Sequence, residues 1–274
     1  MKTCLILYKN ALNSKYTAHE ISLMFRELAS KHCDIPIQKL YFLEDIVCTE
    51  QQKQLLQNDL DRLSAGEPFQ YVLGYTEFCG LKLNVDENVL IPRQETSELI
   101  EWIAKSEKNV GKILDVGTGS GCIALALKKQ YPEAEVWAVD KSAGALQVAS
   151  KNADETALFV NFKQADMLTQ LDELPHDFDL VVSNPPYIMP SEKVDMPEDV
   201  LTFEPHMALF APEEDPLVYY RAVAEFAFKC SAAVYFEINP LLSSQTCDML
   251  LDLGFSEIEI KKDISKKPRM IWAK

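Results

Sequence analysis

At Asp115-Val116-Gly117-Thr118-Gly119-Ser120-Gly121 a short apolar run stops at three alternating glycines, and the helix-like stretch CIALALKKQ begins at once. Few folds accept that order. Lys112 to Val116 is too short for a helix and mostly apolar, the pattern of a strand buried on both faces. The glycines let the backbone turn sharply and approach whatever lies beside it without Cβ clashes. Glu135 to Asp140 (EVWAVD) repeats the strand pattern and leads into a helix that Ser142 can cap. Further strands are expected at Ala157 to Phe162, Phe178 to Ser183, Ala232 to Ile238, around Ile258–Ile260 and at Met270–Trp272, with helices at Ala222 to Phe228 and Leu241 to Leu253. Such alternation implies a mostly parallel sheet covered on both faces. The last two strands have no long helix between them, so an antiparallel pair should close the sheet.

The first 75 residues have a different character. Thr17-Ala18-His19-Glu20 fits a capping box, and Ile21, Met24, Phe25 and Leu28 follow at helical spacing. A second helix is expected from Thr49, with Gln52 three residues on, Leu55, Leu56, Leu60 and Leu63 on one side, and Gly66 to end it. These are small amphipathic helices of a bundle, with nothing catalytic among them. Residues 67–93 read as a connector, in which Tyr75 to Val85 (YTEFCGLKLNV) suggests a hairpin around Gly80.

Composition excludes several classes. Seven cysteines lie at 4, 33, 48, 79, 122, 230 and 247 with no Cys-x-x-Cys, and the four histidines do not cluster. Neither a disulfide framework nor a metal site is expected. The apolar run Cys4 to Tyr8 is shorter than a signal-peptide core, no stretch has the ~18 apolar residues of a membrane span, and a cytoplasmic location is expected. The net charge is −15, unevenly spread: residues 1–75 carry 8 Lys/Arg against 9 Asp/Glu, a net of −1, and the remainder 19 against 33, a net of −14. An acidic domain repels nucleic-acid phosphates. It suits a basic protein partner, or simply keeps the chain soluble.

The glycine turn and Asp140 form one constellation. Asp140 ends the second strand 19 residues after Gly121, where a carboxylate can accept hydrogen bonds from both hydroxyls of a ribose. The spacing Gly-x-Gly-x-Gly differs from the Gly-x-Gly-x-x-Gly of dinucleotide enzymes. By itself it does not separate adenosylmethionine from a nicotinamide cofactor. Asp166 and Met167, at the end of the third strand region, could reach an adenine; taken alone, each reads as structural.

Asn184-Pro185-Pro186-Tyr187 follows directly on the buried-type strand Phe178 to Ser183. Two prolines fix φ and contribute carbonyls without N–H groups, and each holds the residue before it extended. The Asn184 side-chain oxygen and the Pro185 carbonyl are then two rigid acceptors, matching the two donors of a planar NH2 group. Held so, the nitrogen lone pair faces an incoming methyl group, and positive charge growing on nitrogen is stabilised. Tyr187 can stack on the flat face of an amide or a base. No general base is required, because the proton can leave after transfer; the rate comes from alignment. The competing reading is a plain strand-ending turn.

Together these residues resemble the HemK-type release-factor glutamine methyltransferases, the protein N5-glutamine methyltransferase family. The resemblance runs through Pro68 to Gly74 (PFQYVLG), Phe78-x-Gly80, Val89-Leu90-Ile91-Pro92-Arg93-x-x-Thr96, Asp115 to Cys122 (DVGTGSGC) and Ser183 to Ile188 (SNPPYI). Glu204-Pro205-x-x-Ala208-Leu209 and Asp263…Arg269-Met270-Ile271 extend it, so that it spans roughly residues 66 to 274. It implies an α/β fold: a Rossmann-like seven-stranded methyltransferase sheet at 94–274, a helical substrate-recognition domain at 1–75, and a β-hairpin linker at 76–93. It implies S-adenosyl-L-methionine as cofactor, held by Gly117, Thr118, Gly119, Ser120, Gly121, Asp140, Met167 and Asn184. The substrate would be the glutamine of the Gly-Gly-Gln motif of class 1 peptide chain release factors, bound on Asn184, Pro185, Pro186 and Tyr187, with Asn184, Pro185 and Tyr187 catalytic. Arg93 would face the pocket, or else pair with an acidic neighbour.

Two departures from the family pattern stand out. Asn239-Pro240 follows Glu237-Ile238 where glycine is usual, and Met167 replaces a frequent aromatic residue. Neither is expected to touch the methyl-transfer geometry, though Met167 would weaken adenine stacking. Other functions share the tetrapeptide: an adenine-N6 nucleic-acid methyltransferase, which lacks its basic stripe here, a ribosomal-protein glutamine methyltransferase, and a cofactor-binding adaptor without catalysis. The segment Pro190 to Asp215, with eight Asp/Glu and a single lysine, is either a docking surface for a basic partner or a solvated loop.

Overall fold

The computed structural model describes residues 1–42 and 46–274. The chain divides into two units, Met1–Tyr75 and Thr76–Lys274. The first is helical, with α1 (Lys2–Leu12), α2 (Ala18–Cys33), α3 (Glu50–Ser64) and α4 (Phe69–Leu73). The apolar run near the N-terminus lies inside α1. Local chemistry starts the next two helices: the Thr17 hydroxyl accepts from the Glu20 N–H while the Glu20 carboxylate accepts from the Thr17 N–H, and Thr49 and Gln52 repeat the arrangement. Gly66, at φ 95°, turns the chain just beyond α3. Tyr8, Leu12, Ile21, Phe25, Leu28, Leu56, Leu60 and Leu63 converge on one core. The Tyr8 hydroxyl is not stranded there, because it donates to the Leu56 carbonyl at 2.6 Å.

The second unit opens with the hairpin β1 (Tyr75–Phe78) and β2 (Leu81–Asn84). Its two turn residues, Cys79 and Gly80, both have positive φ, 48° and 69°, as a two-residue turn matching the strand twist requires. There follow α5 (Gln94–Ser106), β3 (Lys112–Val116), α6 (Cys122–Gln130), β4 (Glu135–Asp140), α7 (Ala143–Thr156), β5 (Asn161–Gln164) and β6 (Leu180–Ser183). Then come the short helices α8 (Glu198–Phe203) and α9 (His206–Leu209), α10 (Val218–Cys230), β7 (Ala233–Glu237), α11 (Ser243–Asp252), β8 (Ile258–Lys262) and β9 (Pro268–Ala273).

The large sheet runs β5-β4-β3-β6-β7-β9-β8, with β9 antiparallel to both of its neighbours. One apolar cluster lies on each face, so β3, β6 and β7 are buried on both sides, as their mostly apolar sequences require. The chain starts at β3, winds out to β5, and returns to lay β6 on the other side of β3. That switch opens a crevice at the carboxyl ends of β3 and β6. The Ser183 hydroxyl ties the two strand ends together through the Val116 carbonyl at 2.6 Å.

The strand expected from Ala157 begins four residues later. Ala157 takes a left-handed conformation (φ 54°) and closes α7, with the Leu158 N–H returning to the Ala153 carbonyl. A helix cap, invisible to a period-two search, occupies the first residues of that run. The expected helix at 222–228 extends over Val218–Cys230, and a turn of 3-10 helix at Pro240–Leu242 precedes α11.

Candidate active site

The glycine loop is anchored from both ends. Gly117 and Thr118 donate their N–H groups to the Val139 carbonyl at 2.8 and 3.0 Å. Asp115, fully buried at the end of β3, accepts from the Thr118 hydroxyl at 2.6 Å and from the Ala124 N–H in the first turn of α6 at 3.1 Å. Its carboxylate thus sits at a helix N-terminus and fixes the loop. Its other oxygen, Oδ1, has no hydrogen-bond partner among the described residues, and burial pushes the carboxyl up to about 7. Gly117, Gly119 and Gly121 all have positive φ. A side chain on Gly117 would press on Met167, one on Gly121 on Ala149, and one on Gly119 would meet nothing within 4 Å.

Asp140 ends β4 facing that loop. Its two oxygens accept the Gly119 N–H at 2.9 Å and the Ser142 N–H at 2.8 Å. Burial raises the carboxyl above its ordinary range, against the backbone N–H groups that lower it. Asp166 is held low by Lys141 at 2.8 Å and caps the Leu168 N–H. An open cleft is lined by Gly117 to Ser120, Asp140, Met167, Asn184 and Pro186, with Val89, Leu90 and Met207 as apolar walls. Gly121 stands outside the lining, packed on α7 as the residue that starts α6.

A second chamber meets the first at Leu90, Arg93, Asn184 and Ala208. Tyr187, Ile188, Met196, Val200, Leu209 and Glu237 complete its walls. Asn184 therefore stands at the junction of the two spaces, and Pro185 is buried and lines neither. Arg93 does both things considered for it: it lines the cleft and pairs with Glu204, whose side chain is 1% exposed. The pair joins the 88–93 segment to the 204–208 turn, both of them walls.

Behind the tetrapeptide lies a buried polar network. The Tyr187 hydroxyl donates to Glu237 Oε1 at 3.0 Å, the Thr96 hydroxyl to Glu237 Oε2 at 2.6 Å, and Asn184 Nδ2 to Thr96 Oγ1 at 3.3 Å. Burial and the Glu237 charge keep the Tyr187 phenol protonated far above its ordinary range. Asn239 Nδ2 donates to the Tyr187 carbonyl at 3.1 Å and to Glu192 at 2.7 Å. The expectation that Asn239-Pro240 leaves the site untouched is therefore corrected, because Asn239 braces the tetrapeptide's last residue. A strand-end signal was present: Glu237 is a carboxylate closing the otherwise apolar run Ala233 to Phe236, at the carboxyl end of β7, the side of the sheet where ligands bind. Asn152 gave no such signal. Buried on α7, it accepts from the Asn84 N–H at 2.6 Å and donates to the carbonyls of Asn84 and Ser120, joining the hairpin to the glycine loop.

The crevice suits a nucleoside carrying an amino-acid tail. Glycines remove side chains where a ligand must approach, an acid ends the adjacent strand, and Val89, Leu90 and Met207 add apolar wall. With a rigid acceptor at the chamber junction, fold and site define a Rossmann-like, S-adenosylmethionine-dependent methyltransferase. Residues 94–201 match the "Methyltransferase small domain" family, and residues 6–74 match the "PrmC N-terminal domain".

The chain is 36% identical over 268 residues to the release factor glutamine methyltransferase of Bacteroides thetaiotaomicron, covering 97% of this chain and 96% of the relative. It is 39% identical to that of Flavobacterium psychrophilum (96% and 95% covered) and 44% identical to that of Streptococcus pneumoniae (73% and 72%). This chain belongs to the release factor glutamine methyltransferase family, and its cofactor is S-adenosylmethionine. Among solved structures, the hMettl16 catalytic domain in complex with MAT2A 3'UTR hairpin 1 matches with a TM-score of 0.61 at 15% identity, covering 91% of this chain and 90% of that one. At that identity the likeness shows the fold.

An Asp140→Ala variant is expected to lose about 10- to 100-fold in cofactor affinity, the worth of one or two hydrogen bonds to a charged group. Calorimetric titration with S-adenosylmethionine measures it, and unchanged affinity would remove Asp140 from the site.

Proposed function

We propose that this protein methylates the side-chain amide nitrogen of the glutamine in the Gly-Gly-Gln motif of class 1 peptide chain release factors. The observation that carries the reading is the position of Asn184, a rigid amide at the one place where the cofactor cleft and a second, largely apolar chamber meet. In this reading Asp140 holds the ribose, the glycine loop Gly117–Gly121 lies along the cofactor's tail, and Met167 lies against the adenine. When bound, S-adenosylmethionine supplies an electrophilic methyl group. Asn184 Oδ1 accepts an amide N–H of the glutamine, turning the nitrogen lone pair toward the cleft and stabilising charge as it grows there; Pro185, which lines neither space, acts by holding Asn184 extended. Tyr187 packs on the flat face of the amide, fixed through its hydroxyl to Glu237 and its carbonyl to Asn239. Water is excluded by Leu90, Ile188, Met196, Val200 and Leu209.

The partner reading rests on charge as well. Met196 and Val200 wall the second chamber, and the exposed Asp195, Glu198 and Asp199 flank them. A basic, RNA-binding protein meets that rim favourably; a nucleic-acid phosphate does not. Of the eight acids in the segment, Glu192 and Glu204 turn inward to Asn239 and Arg93 and are structural. The helical unit 1–75 serves as substrate recognition in this reading. No helix among the described residues is long and apolar enough to cross a membrane.

The test is mass spectrometry of a class 1 release factor after incubation with the protein and S-adenosylmethionine. A mass gain of one methylene on the glutamine of Gly-Gly-Gln supports the reading. An unmodified factor, with adenine methylated instead in a duplex or an RNA offered beside it, overturns it.

A further inference from the structure

An asparagine amide has two ends of nearly equal size and opposite polarity. Only its oxygen can accept from an incoming NH2 group; the NH2 end would set donor against donor. Rotating the amide by half a turn would therefore disable the site without changing its shape. Resting on the function proposed above, we propose that Thr96 and Glu237 set the amide orientation of Asn184, holding its Oδ1 toward the acceptor chamber.

Thr96 and Glu237 are 2% and 1% exposed, so water does not mediate between them. A carboxylate only accepts, and the Thr96 hydroxyl lies 2.6 Å from Glu237 Oε2, the length of a charge-assisted O–H···O bond. The one proton of Thr96 is committed there. What Thr96 Oγ1 offers Asn184, 3.3 Å away, is lone pairs alone. Only the NH2 end of Asn184 fits them, and its oxygen is left for the chamber. Glu237 is held in turn by the Tyr187 hydroxyl at 3.0 Å, so one buried anion orients both ends of the tetrapeptide.

Arg269 on β9, Glu95 on α5, Tyr220 on α10 and Tyr187 are charged and titratable groups facing Glu237, and burial is the strongest influence, raising its carboxyl above the ordinary range. A protonated Glu237 would donate to Thr96, free the threonine proton for Asn184, and reverse the relay. Thr96 and Glu237 are positioning residues, acting through Asn184.

The variants are Thr96→Val, which keeps the shape and removes the hydroxyl, Thr96→Ser, which restores it, and Glu237→Gln, which can donate where the acid only accepts. Single-turnover transfer to a release factor is expected to fall about tenfold or more in Thr96→Val and Glu237→Gln, as loss of alignment implies. Affinity for S-adenosylmethionine should fall less than the rate in Thr96→Val, and Thr96→Ser should recover the rate. The wild-type rate should fall at acid pH, and that limb should be missing from Glu237→Gln.

A second readout needs no substrate. The side-chain amide resonances of Asn184, identified by their loss in Asn184→Asp, should shift and exchange faster in Thr96→Val and return in Thr96→Ser. If the wild-type chain leaves release factors unmodified, the function above fails and the amide resonances still decide the relay. A wild-type rate in Thr96→Val overturns the relay whatever the resonances do, as does a loss of cofactor affinity equal to the loss of rate.

Discussion

Asn184→Ala should bind S-adenosylmethionine within about tenfold of wild type and lose about 10²- to 10³-fold in methyl transfer. The first figure follows from the site's layout. Gly117 to Ser120 and Asp140 line the cofactor cleft without using the Asn184 side chain, so at most one neutral hydrogen bond is lost there. The second follows from what disappears, an acceptor aimed at a nitrogen that becomes positive as it is methylated. Removing one such preorganised group from a water-poor site has that order of effect elsewhere. The loop itself should survive, because the residue before Pro185 is held extended whatever its side chain, and Thr96 keeps its bond to Glu237. Calorimetry and single-turnover kinetics on the same preparation separate the two effects. Equal losses in both would mean that Asn184 acts only by shaping the cleft.

The second large effect is on stability. Asp115 is buried without an opposite charge beside it, and its carboxyl is pushed up to about 7 from an ordinary 3.8. A carboxyl that binds its proton more tightly when folded contributes its stabilisation in full below about pH 4, and loses it as the pH rises toward 7. Three units correspond to about 4 kcal/mol, of which about 3 should disappear between about pH 5 and about pH 8. Asp115→Asn keeps the shape and an oxygen for Thr118 and Ala124 but does not titrate. The unfolding free energy of the wild type should therefore fall relative to this variant by about 3 kcal/mol over that range. Parallel curves in denaturant titrations at the two pH values would show that Asp115 ionises freely. The destabilised anion has a structural reason: it fixes the Thr118 hydroxyl and the first turn of α6, so the glycine loop is rigid before any ligand arrives.

Much of this architecture was legible locally. The three alternating glycines, the apolar run before them and Asp140 19 residues after them placed β3, the loop and β4 in advance, because each signal lies within one turn or one strand. The capping boxes at Thr17 and Thr49 were readable for the same reason. The strand expected at Ala157 slipped because the cap of α7 is written in a left-handed backbone angle at an ordinary alanine. Asn239 was misread as remote because its partner, the Tyr187 carbonyl, lies 52 positions earlier in the chain.

The sequence by itself determined the chemistry: which strand ends carry glycine, acid or amide, and hence a nucleoside cofactor and a planar nitrogen acceptor. Hydrophobic period and turn chemistry are short-range properties, and those features are built from them. Only the tertiary structure decided how the acceptor is aimed. Thr96 and Glu237 are 141 positions apart, and Arg93 and Glu204 111 apart. They meet because α5 packs on a sheet whose order brings β7 beside β6, and no local pattern encodes that order. Asn-Pro-Pro-Tyr supplies an amide at the strand end; the folded sheet supplies the buried anion that points its oxygen the right way.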